Sequence, residues 1–213
     1  MNQKTTRADL HIYSRHSERA ADWVLRRLDF PASYSDPKDL YSALRGAGMD
    51  FVTITDQNTI SGCLEIAHLP GVIIGEEVST CFPDDECRIH VLTWGITESQ
   101  HRTIQEARKN IFDLQEYLFA ENIAHSVAHP FHSVNGKLTA LHLQKLILLF
   151  RHFEGVNGRY CQLLSQTAQS VLGGLTPRDI EIFSSRTGLA PTHDEAWKKI
   201  FTGGSDDHGG THA

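Results

Sequence analysis

Phe51-Val52-Thr53-Ile54-Thr55-Asp56 reads as a short strand, apolar on both faces, that ends on a carboxylate. A strand buried on both faces belongs to a parallel sheet covered by helices. Its tip is rigid, yet it opens onto loops that a substrate can reach. Four other apolar runs finish on histidine or carboxylate in the same way, Ala8-Asp9-Leu10-His11, Val72 to Glu77, Ile123 to His129, and Thr202 to His208, and a fifth, Ile89-His90-Val91-Leu92, carries a histidine within it. That regularity predicts polar groups gathered from separate strands at one end of a single barrel or sheet.

Helix signals fall between these runs. Asp36 as cap and Pro37 at the first helical position open a helix that runs to Gly46 or Gly48. Thr97-x-x-Gln100 is a capping box, and Ile104, Ala107, Ile111, Leu114 and Leu118 recur behind it at steps of three and four. Together they predict one amphipathic helix from Glu98 to Asn122. Thr139 to His152 reads as another, and Thr176-Pro177-Arg178-Asp179 starts a further one, while Pro83-Asp84-Asp85 reads as an acidic turn. Strand and helix thus alternate, as in an α/β barrel or a related parallel sheet with its reactive groups at the carboxyl ends of the strands. Residues 1–213 read as one domain. It ends on a strand tip at Ser205-Asp206-Asp207-His208, with no helix to cover that strand. Either the barrel closes with fewer elements than usual or the chain is a segment of a longer protein.

No apolar stretch approaches the roughly 20 residues that span a bilayer, so a helical membrane protein is excluded. Met1-Asn2-Gln3-Lys4 lacks a secretory apolar core, and a cytoplasmic location is expected. A net charge of −6 without any block of lysine and arginine argues against a general nucleic-acid binder but allows a small anionic substrate. Cys63, Cys81, Cys87 and Cys161 lack C-x-x-C spacing and read as reduced thiols. The unusual count is thirteen histidines, since histidine is the commonest metal ligand.

Metal-assisted hydrolysis needs ligands converging from separate elements, with an open position where water becomes acidic enough to attack. The strand tips offer His11, Asp56, Glu76 or Glu77, His90, His129, Asp206 and His208. Mixed imidazole and carboxylate suits Zn, Mn or Fe rather than Ca. Glu76 and Glu77 must point to opposite faces, so one of them is solvent-facing or salt-bridged.

Asp9-Leu10-His11-x-x-Ser14, Thr55-Asp56-Gln57-Asn58-Thr59-x-x-Gly62, Gly75-Glu76-Glu77, Ala128-His129-Pro130 and Ser205-Asp206-Asp207-His208 stand in that order along the chain. Taken together they resemble the motifs of the polymerase and histidinol phosphatase (PHP) family, over essentially the whole chain. The likeness is greatest to its stand-alone or glycosyltransferase-associated members, through the segment from Gly48 to Thr59. The resemblance implies an irregular seven-stranded (β/α)7 barrel with one to three divalent ions at its mouth. It implies His11, Glu77 and Asp206 in one site, Glu77, His90 and His129 in a second, and Glu18 and His208 in a third. It also departs at two ligand positions, where Tyr13 and Gln57 stand in place of the family's histidines.

The function this implies is a metal-dependent phosphoesterase. It would cleave a small phosphomonoester or phosphodiester through a metal-bound hydroxide, with Glu77, Asp206 and His208 catalytic. Arg159, Asn157 and His132 follow strands that face the same mouth and are candidates for holding substrate, Arg159 through its bidentate fork. A structural loop role is the competing reading for each. Asp56 is expected to support ligands rather than bind metal, and His125 to be a core or hydrogen-bonded histidine. Tyr13 and Gln57 motivate a second expectation, a non-catalytic PHP-like binding module within a longer protein. Nothing in the sequence speaks to oligomeric state.

Overall fold

The structure, a computed structural model, describes residues 5–17 and 33–209, so Glu18 lies outside the described residues. β1 (Ala8–Asp9) and β2 (Phe51–Val52) pair in parallel. A second sheet holds β3 (Gly75–Cys81), β4 (Arg88–Trp94), β5 (Ala124–Val127), β6 (His152–Asn157) and β7 (Ile200–Gly204), adjacent in that order. Isolated parallel bridges link the sheets at both edges. Val52 meets Val72 and Gln57 meets Glu77 on one side, and Ile12 meets Asp207 on the other.

The expected alternation of parallel strands holds for β1 with β2 and for β5, β6 and β7. It fails in between. β3 and β4 form an antiparallel hairpin, and β4 is also antiparallel to β5. The physical reason is length, because residues 82–87 cannot make the crossover of about a dozen or more residues that a parallel neighbour requires. The sheet is therefore mixed. The run from Val72 to Glu77 also shifts, since pairing with β4 begins at Gly75 and Glu77 becomes the third residue of β3 rather than its tip.

The helices are α1 (Pro37–Gly46), α2 (Ser61–Ile66), α3 (Glu98–Ala107), α4 (Ile111–Ala120), α5 (Ala140–Leu149), α6 (Gln162–Gly173) and α7 (Pro177–Thr187). Asp36, Thr97 and Thr176 cap α1, α3 and α7 as their sequences predict. The single helix expected from Glu98 to Asn122 is instead two. Asn110 caps the second by accepting from the Phe112 amide at 3.0 Å, so the buried row Ile104, Ile111, Leu114 and Leu118 crosses a break. α5 also stops short of His152. Lys199 Nζ reaches across to donate to the carbonyls of Ile147 at 2.6 Å and Phe150 at 2.8 Å, which serves the orphaned end of that helix. No described helix is long and apolar enough to cross a membrane. The four cysteines are free thiols, of which Cys63 and Cys87 are buried.

The main core packs the five-stranded sheet against the helices, with Phe82, Phe150 and Phe153 fully buried. A smaller one seats Leu40 and Leu44 of α1 and Cys63 and Ile66 of α2 on Val52 and Ile54. A third cluster joins Leu92, Trp94 and Ala128 with Leu10 and Ile73, and Trp94 Nε1 donates to the Leu10 carbonyl at 3.1 Å. These contacts tie the two sheets together on the face that Leu92 shares with its register partner Glu77.

The other junction, β7 against the segment after β1, is close enough to demand glycine. A Cβ on Gly204 would lie 2.3 Å from His11 Cβ and 2.7 Å from the His11 amide nitrogen. Gly204→Ala is expected to cost about 1–3 kcal/mol by overpacking. The expected result is a melting temperature several degrees lower, followed by circular dichroism; an unchanged value contradicts the tight junction.

Candidate metal centre

The β3–β4 hairpin places the first two ligand candidates. Ser79 is registered against His90, so Glu77, two residues earlier on β3, projects from the same face as His90. The Glu77 Oε1 to His90 Nδ1 distance is 2.8 Å. Glu76 takes the other face. It is fully buried rather than solvent-facing, 2.9 Å from His101 Nδ1 and accepting from Gln105 Nε2 at 2.8 Å, so the salt-bridged alternative is the one observed.

His129 stands two residues beyond β5 with a φ of 26°, and its Nε2 lies 3.3 Å from Glu77 Oε1. His11 stands two residues beyond β1, with Nε2 3.4 Å from the same oxygen. One carboxylate oxygen thus faces three imidazoles. Among the described residues, the group able to hold a metal ion is Glu77, His90 and His129, whose ligand atoms all lie within 4.8 Å of one another. Two donors bound about 2.0–2.1 Å from one tetrahedral ion lie about 3.3 Å apart, and two imidazoles with one carboxylate form a donor set used by catalytic zinc. The residues fit such an ion. Burial opposes charge on Glu77, but His90 and the hydrogen bonds from His11, His129 and His90 outweigh it and hold the carboxyl well below its usual range.

His11 and Asp206 border this group without joining it. Asp206, two residues past β7 with a φ of 52°, has Oδ1 3.8 Å from His11 Nε2 and 3.2 Å from His208 Nε2. Burial opposes its charge, and His11 and His208 overcome that to lower the carboxyl to about 2. His11 is wholly buried, yet Glu154, Asp206 and Glu77 outweigh the burial and raise its pKa well above the usual value.

The two departures from the PHP pattern sit directly on these ligands. Tyr13 is buried, its hydroxyl is 2.9 Å from His11 Nε2, and its ring stacks on His208 with centroids 4.1 Å apart. Burial and the surrounding carboxylates push its pKa well above the usual value. Gln57 Nε2 lies 3.3 Å from Glu77 Oε2 and 3.1 Å from His90 Nε2. The amide therefore braces two ligand candidates.

Glu154 is the residue that sequence reasoning missed. It is buried on β6, with Oε1 2.8 Å from His11 Nδ1, while Oε2 accepts from the His129 amide at 2.7 Å and from Asn157 Nδ2 at 2.8 Å. A carboxylate on the far nitrogen of a ligand histidine sets its tautomer and orientation. The available signal was a lone acid inside an apolar strand. Strand alternation would put Glu154 with Val156 and opposite Asn157. A register shift between Glu154 and Val156 leaves Gly155 as an extra residue and brings Glu154 and Asn157 to one side.

Of the residues expected to hold substrate, Asn157 is committed within the protein. Its Nδ2 also donates to Asp206 Oδ2 at 3.1 Å, and its Oδ1 accepts from the Arg159 and Tyr160 amides. Arg159 is half exposed, touches His208 and lies 3.7 Å from Asp206 Oδ1. His132 packs on Tyr160, with ring centroids 4.6 Å apart, beside His129. Asp56 accepts from the Ser14 amide and hydroxyl, both at 2.6 Å, and supports the segment after β1. Burial pushes its carboxyl up to about 6. His125 is held by the Ile123 carbonyl at 2.7 Å, away from this cluster.

No family model matches the sequence. An uncharacterized protein of Methanocaldococcus jannaschii is 35% identical over 79 residues, a match covering 35% of this chain and 44% of that protein. The chain thus spans less than half the length of that relative. Among solved structures, a candidate metal-dependent phosphoesterase of Bifidobacterium adolescentis superposes with a TM-score of 0.53 and 14% identity, covering 97% of this chain and 89% of that one. An amidohydrolase of Chromobacterium violaceum, whose structure holds sulfate and no metal, gives 0.56 and 13%, covering 96% and 88%. At such identities the likeness shows a shared mixed α/β fold.

Proposed function

We propose that this chain is a metal-dependent hydrolase of the PHP type that cleaves a small phosphorylated ester in the cytoplasm. The observation that carries the reading is the convergence of Glu77, His90 and His129, from three strands, on one buried point. A divalent transition ion held there, such as Zn, Mn or Fe, would supply Lewis acidity to a phosphoryl oxygen and make water acidic. The protein's own part is preorganisation. Glu77 orders three imidazoles around one oxygen, Glu154 fixes His11, and Asp206 keeps His208 Nε2 at 3.2 Å, where that nitrogen can pass a proton to a leaving oxygen. Arg159, exposed next to Asp206, is placed to take the charge of the ester. The likeness to a candidate phosphoesterase supports this choice, and the likeness to an amidohydrolase keeps C–N bonds in the assay panel.

A second reading has its own support. The Tyr13 hydroxyl covers His11 Nε2 and the Gln57 amide covers His90 Nε2, as in a barrel that has kept its shape and turned to binding. One experiment separates the two. The purified chain, supplemented with Zn or Mn, is analysed for bound metal and assayed with p-nitrophenyl phosphate, its bis ester and a set of amides. Bound metal with phosphoester turnover is the expected result. Metal without turnover, and activity created by Tyr13→His with Gln57→His, establishes the binding module. No metal after supplementation overturns the hydrolase.

A further inference from the structure

A cavity of about 250 Å³ opens directly beside the metal centre and shares its wall through Gln57 and His90. Three cations line it. Arg88 comes from the start of β4, and Arg108 and Lys109 come from the break between α3 and α4. No carboxylate lines it, in a chain whose net charge is −6. Arg108 is already oriented, because its Nη1 donates to the Ser79 carbonyl at 3.2 Å. Sites that enclose a whole small ligand measure about 300–1,000 Å³, so this cavity is the size of one arm of a ligand.

We propose that this cavity is an anion subsite and that the substrate is a small phosphoester carrying a second acidic group, carboxylate or phosphate. The reactive ester would sit at Glu77, His90 and His129 while the second group is held by Arg88, Arg108 and Lys109. Guanidinium groups match both acids by their paired donors. The helix break at Arg108 to Asn110 then has a purpose beyond turning the chain, since it carries two of the three cations to the cavity.

The substrate class rests on the phosphoesterase reading, and the subsite itself does not. Two measurements keep them apart. Arg88 and Lys109 are exposed, so Arg88→Ala with Lys109→Ala is compatible with folding. In the first, the chelator-treated full chain is titrated with inorganic phosphate by calorimetry at low salt. Affinity is expected to fall at least tenfold in the double variant, and equal affinities overturn the subsite whether or not any ester is cleaved. In the second, the metal-loaded chain is assayed with 3-phosphoglycerate and glycerol 3-phosphate, which share a phosphomonoester and differ in one carboxylate. The ratio of their kcat/KM values is expected to favour 3-phosphoglycerate at least tenfold and to collapse in the double variant through KM. A natural chain that does not discriminate overturns the assigned substrate class. Turnover of neither ester, with phosphate binding still dependent on Arg88 and Lys109, sinks the phosphoesterase reading and upholds the subsite.

Discussion

Glu77→Gln is expected to leave the chain without a bound divalent ion and to cut phosphoester turnover on the order of 1,000-fold, equivalent to about 4 kcal/mol of transition-state stabilisation. The magnitude follows from position. Oε1 of this one carboxylate is 2.8 Å from His90, 3.3 Å from His129 and 3.4 Å from His11, and Glu77 is the sole acid in the group able to hold an ion. Glutamine keeps the shape but brings no negative charge to balance a dication, and it presents an NH2 where only acceptance is useful. Metal content and kcat/KM are to be measured on the same preparation, with circular dichroism showing that the sheet persists. Full metal occupancy in the variant would place the ion elsewhere.

The second large effect belongs to Glu154, buried on β6. Its two oxygens serve three donors: His11 Nδ1, the His129 amide and Asn157 Nδ2. Glu154→Gln must turn an NH2 toward at least one of them, leaving buried donors face to face at a cost of about 1–3 kcal/mol. Because the same carboxylate holds the backbone amide of His129 and the ring of His11 beside the group, metal affinity is expected to drop about 10- to 100-fold as well. Thermal unfolding measures the first effect and competitive metal titration the second. A lowered melting temperature with unaltered metal affinity would reduce Glu154 to a purely structural group.

Much of the fold is legible locally. Asp36-Pro37, Thr97-x-x-Gln100 and Thr176-Pro177 start helices where their side chains meet orphan amides, because capping is settled within one turn of chain. The break at Asn110 was also written in the chain as a capping residue, but unbroken apolar periodicity on either side concealed it. The antiparallel β3–β4 pair was hidden for a different reason. Strands buried on both faces look alike whichever way their neighbours run, and only the short connection over residues 82–87 records the reversal.

The same division runs through the candidate site. Residue type and order along the chain were enough to nominate His90, His129, His11, Asp206 and one of Glu76 and Glu77, since imidazole and carboxylate near strand ends carry their chemistry with them. Alternation put Glu76 and Glu77 on opposite faces, and the motif spacing of the family resemblance chose Glu77 between them. Three-dimensional packing settled the rest. It selected which ligands share a point, set the buried Tyr13 hydroxyl over His11, turned Gln57 into a brace for His90 and Glu77, and used one surplus glycine in β6 to swing Glu154 beneath His11. Contacts such as Glu77 with His129, 52 positions apart, and His11 with Glu154, 143 apart, depend on register, a bulge and loop closure, none of which has a signature in any short window of sequence.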